Sequence, residues 1–312
     1  AGAVKGRCGM KIEGIIVPVL TPMGQDEEIL PDEFCRQIER LIAAGIQGIF
    51  PCGTNGEGYI LSLKEKEELF EAAMAQAKGR VPVYAGTGCI STADTVRLSR
   101  RAWQLGVDAL SVITPSFAAA SQQELYLHYK EIAKQVDLPI VLYNIPQRTG
   151  NRLLPQTVRR LAEEIEQIAG IKDSSGDMAN LEAYLALAKD LKESKGKDFA
   201  VLAGNDSAIL SCLEKGGAGA VAGRANLYPA AVEQIYQAFR AGEWEKARQA
   251  QESINSLQKI FAYGNPNTII KKAAVLLGYP VGECRRPFQY LSEEGMEALR
   301  QLLQENREKG LH

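Results

Sequence analysis

From Gly14 onward the chain alternates between short, apolar, β-branched runs and longer stretches of helical periodicity, and the alternation continues past residue 220. Strands are expected at 15–20, 48–51, 81–85, 109–113, 140–143, 168–172, 200–203 and 219–221. Helices are expected at 31–44, 62–78, 91–105, 121–135, 155–166, 178–192, 207–215 and 228–241, the first three ending at Gly45, Gly79 and Gly106. About eight strand–helix units in roughly 220 residues is the arithmetic of a (β/α)8 TIM barrel, a fold whose chemistry sits at the C-terminal ends of its strands. The main rival, a doubly wound open sheet, carries a Gly-x-Gly-x-x-Gly turn after its first strand, and Pro22-Met23-Gly24-Gln25-Asp26 is not one. Three further helical patterns, 244–262, 267–277 and 292–309, follow the last unit. The expected organisation is an N-terminal extension (1–11, with Met10 as a candidate start), a catalytic α/β barrel (12–241) and a C-terminal helical appendage (242–312) serving as a cap or subunit contact.

Charge and residue counts remove several function classes. A formal net charge of -2 offers no field to attract nucleic acid or anionic lipid, so neither is an expected partner. No apolar run approaches the roughly 20 residues that span a bilayer, and a cytoplasmic location is expected. The six cysteines show no Cys-x-x-Cys spacing, which suggests reduced thiols and no zinc cage. Only two histidines are present, His128 in an amphipathic helical segment and the terminal His312. A multi-histidine metal site is therefore not expected, no cofactor is implied, and acid–base work falls to Lys, Tyr, Thr or carboxylates.

Reading off the residues that follow each strand gives a candidate site. The sixth strand ends in Gly170-Ile171-Lys172-Asp173, where a lysine is out of place. Loss of hydration at a buried strand end favours a neutral amine, which can attack a carbonyl; the plain alternative is a surface lysine that snorkels into water. The fifth strand ends in Tyr143-Asn144-Ile145-Pro146-Gln147-Arg148-Thr149-Gly150, so parallel neighbours would bring the Tyr143 hydroxyl near the Lys172 amine. Schiff-base chemistry needs proton transfers, and a phenol hydrogen-bonded to Thr54 supplies them without histidine. The second strand leads into Pro51-Cys52-Gly53-Thr54-Asn55-Gly56-Glu57-Gly58, whose backbone N–H groups and side-chain donors suit a carboxylate; a plain tight loop explains the glycines equally well. Gly204, Asn205 and Val221, at the ends of the seventh and eighth strands, complete the candidate substrate-binding set.

Gly53-Thr54-Asn55-Gly56-Glu57, Tyr143-Asn144-Ile145-Pro146 and Gly170-Ile171-Lys172-Asp173 together resemble the signatures of the dihydrodipicolinate synthase and N-acetylneuraminate lyase family of class I aldolases. The resemblance covers the chain from about Ile12 to about Leu303. It implies a TIM barrel, a homotetramer (dimer of dimers) and no metal. Lys172 would form the Schiff base with pyruvate or another 2-oxo acid, Tyr143 would be the acid–base relay supported by Thr54, and Gly53, Thr54 and Asn55 would cradle the carboxylate. Arg148 matches the arginine that synthases use for the carboxylate of the aldehyde substrate.

Other positions depart from the synthase pattern. Phe117, in Thr114-Pro115-Ser116-Phe117, stands where synthases have a tyrosine lent across a subunit interface, and Asn55 replaces a threonine, as in 4-hydroxy-2-oxoglutarate aldolases. Gly204-Asn205-Asp206-Ser207 and Gly223 depart from the sialic acid lyases. The expected activity is a carbon–carbon lyase acting on a small 2-oxo acid, of the 4-hydroxy-2-oxoglutarate or 2-keto-3-deoxy-sugar-acid type. The alternative is the synthase itself, condensing pyruvate with aspartate semialdehyde. Two other classes compete: a phosphate-binding barrel using Gly216-Gly217-Ala218-Gly219, and a catalytically silent relative that binds a metabolite.

Overall fold

A computed structural model describes residues 10–312; the N-terminal extension expected at 1–11 lies almost wholly outside them. The strands are β1 (Gly14–Val17), β2 (Gly48–Ile49), β3 (Tyr84–Gly86), β4 (Ala109–Ile113), β5 (Ile140–Asn144), β6 (Ile168–Asp173), β7 (Ala200–Ala203) and β8 (Gly219–Val221). They belong to one eight-stranded sheet in the order β2-β1-β8-β7-β6-β5-β4-β3, and helices follow the strands in the βα repeat of a (β/α)8 TIM barrel. Three expected strands are shorter than their apolar runs, β2 among them, which ends at Ile49. Pro18 lacks the N–H needed to extend β1, and Pro82 delays β3 to Tyr84.

One compact unit consists of residues 10–14 and Pro82–Val221. It holds β3 to β8 with α3 (Thr92–Gln104), α4 (Gln122–Gln135), α5 (Pro146–Thr149), α6 (Pro155–Glu164), α7 (Met178–Lys195) and α8 (Ile209–Glu214). The strands are buried on nearly every residue, as parallel strands covered on both faces must be. Sequence reasoning missed α5, a single turn started by Pro146 and closed by Gly150 in the left-handed region at φ 78°. The helix expected at 207–215 begins as a 3-10 turn over Asp206–Ala208.

The register of this unit contains one irregularity that matters. Ile140 pairs with Ile168, but Val141 pairs with Gly170, so Ala169 is an extra residue in β6. A Cβ on Gly170 would come 2.5 Å from the carbonyl oxygen of Ala200, so the approach of β7 to β6 at this residue favours glycine. Beyond it Tyr143 faces Lys172 and Asn144 faces Asp173.

The second unit consists of Ile15–Val81 and Ala222–His312. It holds β2 and most of β1 with α1 (Pro31–Ala43), α2 (Leu63–Ala77), α9 (Pro229–Arg240), α10 (Trp244–Asn255), α11 (Pro266–Leu276) and α12 (Glu293–Glu308). The start of α2 is set by a full capping box between Ser62 and Glu65. The helix expected at 244–262 is α10 followed by a 3-10 segment, Ser256–Tyr263. The C-terminal helices share an apolar core with the earlier chain: Leu257, Ile269, Ile270, Leu299 and Leu303 pack in one cluster with Leu20, Leu227 and Tyr228. No helix among the described residues is long and apolar enough to cross a membrane.

His128, the one histidine inside the fold, is a buried residue of α4 whose Nδ1 lies 2.8 Å from the Thr92 hydroxyl. Burial drives its pKa down from 6.5 to about 4. The unfolded chain then binds a proton that the folded chain refuses, so stability should fall as pH drops from about 6.5 toward 4. His128→Asn should flatten that slope, measured by urea midpoints at pH 7.5 and pH 5.

Candidate active site

Tyr143, Lys172, Arg148, Gly204, Asn205 and Val221 belong to the first unit and Gly53, Thr54 and Asn55 to the second. In the first unit, the strand ends of β5 and β6 carry Tyr143 and Lys172, each 3% exposed. Their pairing sets the side chains against one another, with the Lys172 amine over the tyrosine ring, 3.8 Å from its centroid. The two side chains are therefore neighbours, with the amine above the face of the ring.

The next pair of residues fixes the first. Asp173 is buried and accepts from the Asn144 carboxamide (2.9 Å), the Ser175 N–H (3.2 Å) and hydroxyl (2.9 Å) and the Asn180 carboxamide (3.3 Å). The remaining capacity of Asn144 is taken by the Leu153 N–H at its Oδ1, 3.0 Å away. A buried carboxylate surrounded by four fixed donors has no freedom to reorient, and it holds the backbone immediately after both catalytic candidates. Sequence reasoning missed this clamp, although a carboxylate and a carboxamide directly following the two key strand ends were a usable signal.

Gly204 follows β7 and donates its N–H to the carbonyl of Asp173 at 2.7 Å. A Cβ there would lie 1.9 Å from the Ser174 hydroxyl, so the glycine lets the two strand ends approach. Asn205 lies beside Gly176, its Nδ2 3.5 Å from where a Cβ on that residue would stand, and Val221 is buried at the end of β8. Arg148 is the penultimate residue of α5 and is exposed. Phe117 is 98% exposed and holds a left-handed φ of 78°, with its N–H on the Thr149 carbonyl. That conformation is imposed by Asn151, whose carboxamide donates to the carbonyls of Pro115 and Ala118 and accepts from the Ala120 N–H.

The glycine run at 216–219 has a steric explanation. A Cβ on Gly217 would meet the Cys212 sulfur at 2.3 Å, and one on Gly219 would meet the Gly14 carbonyl at 2.1 Å. Both glycines serve close packing, which leaves the phosphate-cradle expectation without support.

In the second unit, the loop after β2 turns back on itself through left-handed residues Cys52 (φ 60°) and Glu57 (φ 57°). Glu57 and Gly58 donate their N–H groups to the carbonyls of Thr54 and Gly53. Gly53 lies against the Phe50 ring, Gly56 against the Val19 carbonyl and Gly58 against the Cys52 carbonyl, so a Cβ at Gly58 would come within 2.0 Å of an oxygen. The loop is anchored by a fully buried ion pair: Glu57 Oε1 accepts from Lys271 of α11 at 2.7 Å, and Oε2 accepts from the Arg285 N–H at 2.8 Å. Thr54 and Asn55 remain half-buried. Among the described residues no group of His, Cys, Asp and Glu has the arrangement of a metal site.

Asp173→Asn should destabilise the protein by about 1–3 kcal/mol, because one carboxylate oxygen becomes an NH2 group facing existing donors. Urea denaturation checks the loss. Adding Asn144→Asp reverses the pair and should recover part of it.

Comparison with known proteins converges on one group. The sequence matches the Dihydrodipicolinate synthetase family over residues 11–306. It is 35% identical over 293 residues to a 4-hydroxy-tetrahydrodipicolinate synthase of Methanospirillum hungatei, covering 93% of this chain and 98% of that one. Among solved structures, dihydrodipicolinate synthase from Thermotoga maritima superposes with a TM-score of 0.89 at 30% identity, covering 96% of this chain and 99% of the other. YagE from E. coli K12, a prophage protein of the dihydrodipicolinic acid synthase family solved in complex with pyruvate, superposes with a TM-score of 0.90 at 32% identity, covering 95% and 99%. With a match across nearly its whole length, the chain belongs to the dihydrodipicolinate synthetase family and is a class I lyase of that family.

Proposed function

We propose that the enzyme condenses pyruvate with aspartate semialdehyde through a Schiff base on Lys172, the reaction of a 4-hydroxy-tetrahydrodipicolinate synthase. The observation that carries the intermediate is the buried Lys172 amine packed over the Tyr143 ring at 3.8 Å. What carries the partner substrate is the naming of relatives 34–37% identical over nearly the whole chain as synthases. Lys172 Nζ attacks C2 of pyruvate, water leaves, and loss of a C3 proton gives the enamine that attacks the aldehyde. Tyr143 moves the protons at the carbinolamine and at C3, the work for which no histidine is placed. Thr54 supports that relay, and Gly53, Thr54 and Asn55 hold the pyruvate carboxylate; these roles rest on the family resemblance. Arg148 takes the carboxylate of the semialdehyde, with Gly204, Asn205 and Val221 lining the substrate. The reaction as written needs neither metal nor cofactor.

The cleavage of a 4-hydroxy-2-oxoglutarate or 2-keto-3-deoxy-sugar acid is the second reading, and Phe117 and Asn55 favour it. Phe117 brings no hydroxyl where synthases lend a tyrosine to a neighbouring subunit. Its exposed ring on a braced, left-handed backbone supports a contact with a second copy of the chain and hence the homotetramer. A cytoplasmic location accords with both readings.

Pyruvate with borohydride should leave a reduced adduct on Lys172; an unmodified Lys172 under saturating pyruvate overturns both readings. Assays with pyruvate and aspartate semialdehyde, beside cleavage assays on the hydroxy- and deoxy-2-oxo acids, separate the two by kcat/KM. Arg148→Ala should raise KM for the semialdehyde at least about tenfold, as expected when a charge-assisted hydrogen bond is lost, and leave adduct formation nearly intact.

A further inference from the structure

Helix α11 reaches the loop after β2 with two side chains one turn apart, Asn267 and Lys271. Lys271 neutralises Glu57 at one end of the loop. Asn267, itself buried, acts at the other end: its Nδ2 donates to the Thr54 carbonyl at 2.7 Å and to the Tyr59 hydroxyl oxygen at 3.3 Å. Its Oδ1 accepts a long hydrogen bond, 3.4 Å, from the Asn55 carboxamide. Only this orientation of the amide works, because a flip would set Oδ1 against the Thr54 carbonyl oxygen. Asn267 is in turn oriented by its own N–H, which donates to the N-cap side chain of Asn265.

On its other side Asn55 is confined by Gly223, where a Cβ would stand 2.9 Å from Asn55 Oδ1. The Asn55 carboxamide thus lies between Asn267 and the bare backbone of residue 223. Thr54 and Asn55 are held through a single side chain contributed from more than 200 residues further along the chain.

We propose that Asn267 is a positioning residue for pyruvate binding, fixing the backbone of Thr54 and the side chain of Asn55 as the hydrogen-bond-donor site for the pyruvate carboxylate. The inference rests on the role proposed above for Thr54 and Asn55. Asn267 does not touch substrate; it acts by limiting the conformations of the two residues that do, so its loss weakens pyruvate capture and leaves the amine chemistry on Lys172 in place.

The test is borohydride trapping as a function of pyruvate concentration in the full-length protein, with Asn267→Asp and Asn267→Ser beside wild type. Asp keeps the shape and cannot donate; Ser keeps a donor and shortens it. Each variant is also followed by thermal melting and by steady-state kinetics for both substrates. Expected for Asn267→Asp is about a tenfold or larger rise in the pyruvate concentration for half-maximal trapping, with the amplitude at saturation kept and KM for the aldehyde partner within about twofold. Ser should lie between Asp and wild type. Unchanged half-saturation in Asn267→Asp overturns the proposal. So does a drop in melting temperature and in saturated amplitude in both variants without a shift in half-saturation, which is the signature of a merely structural residue. Wild type that fails to trap on Lys172 removes the Schiff-base reading itself and this inference with it, an outcome separable from the others because it appears before any substitution is made.

Discussion

The extra residue Ala169 in β6 is the constraint on which the pairing of Tyr143 with Lys172 depends. Without it, the pairing that starts at Ile140 and Ile168 would carry on to set Tyr143 opposite Ile171. Side chains alternate across a strand, so a slip of one residue changes which of them share a face. With the bulge, lysine faces tyrosine, and the carboxylate that follows the lysine faces the carboxamide that follows the tyrosine. The Tyr143–Lys172 pair is thus placed by a backbone irregularity upstream and flanked by a hydrogen-bonded pair downstream, with Gly170 and Gly204 permitting close approaches to Ala200 and Ser174.

Much of this was legible in the sequence, for reasons that are local. Strand and helix alternation depends on apolar periodicity within about ten residues, and it located all eight strands and the main helices to within a few residues. Lys172 and Tyr143 were legible because each closes an apolar run, and the barrel rule turns strand ends into a site. The bulge at Ala169 was not, because a register belongs to two strands and neither run records its partner. Asn267 and Asn151 were invisible for a related reason. An asparagine in a helical or loop pattern looks like many others until its partners, 213 residues away for Thr54 and 36 for Pro115, are known.

Glycine carries two different meanings in this chain. At Gly150 it ends a helical turn in a conformation that other residues adopt at a cost. At Gly58, Gly204, Gly217 and Gly219 it leaves room for a neighbouring carbonyl or side chain. The second meaning covers the runs that had suggested ligand cradles, and of these only the loop carrying Thr54 and Asn55 also presents polar side chains that remain half-buried.

The Glu57–Lys271 pair joins residues 214 positions apart in the chain, both out of reach of water. A carboxylate deprived of solvent is tolerable only when its counter-charge has already arrived. During synthesis from the N-terminus, the loop that carries Thr54 emerges long before α11 does, so until then Glu57 must stay hydrated and the loop cannot close. The last quarter of the chain therefore works as a completion signal: a truncated product keeps the strand-end lysine but lacks the cation that lets the loop carrying Glu57 fold.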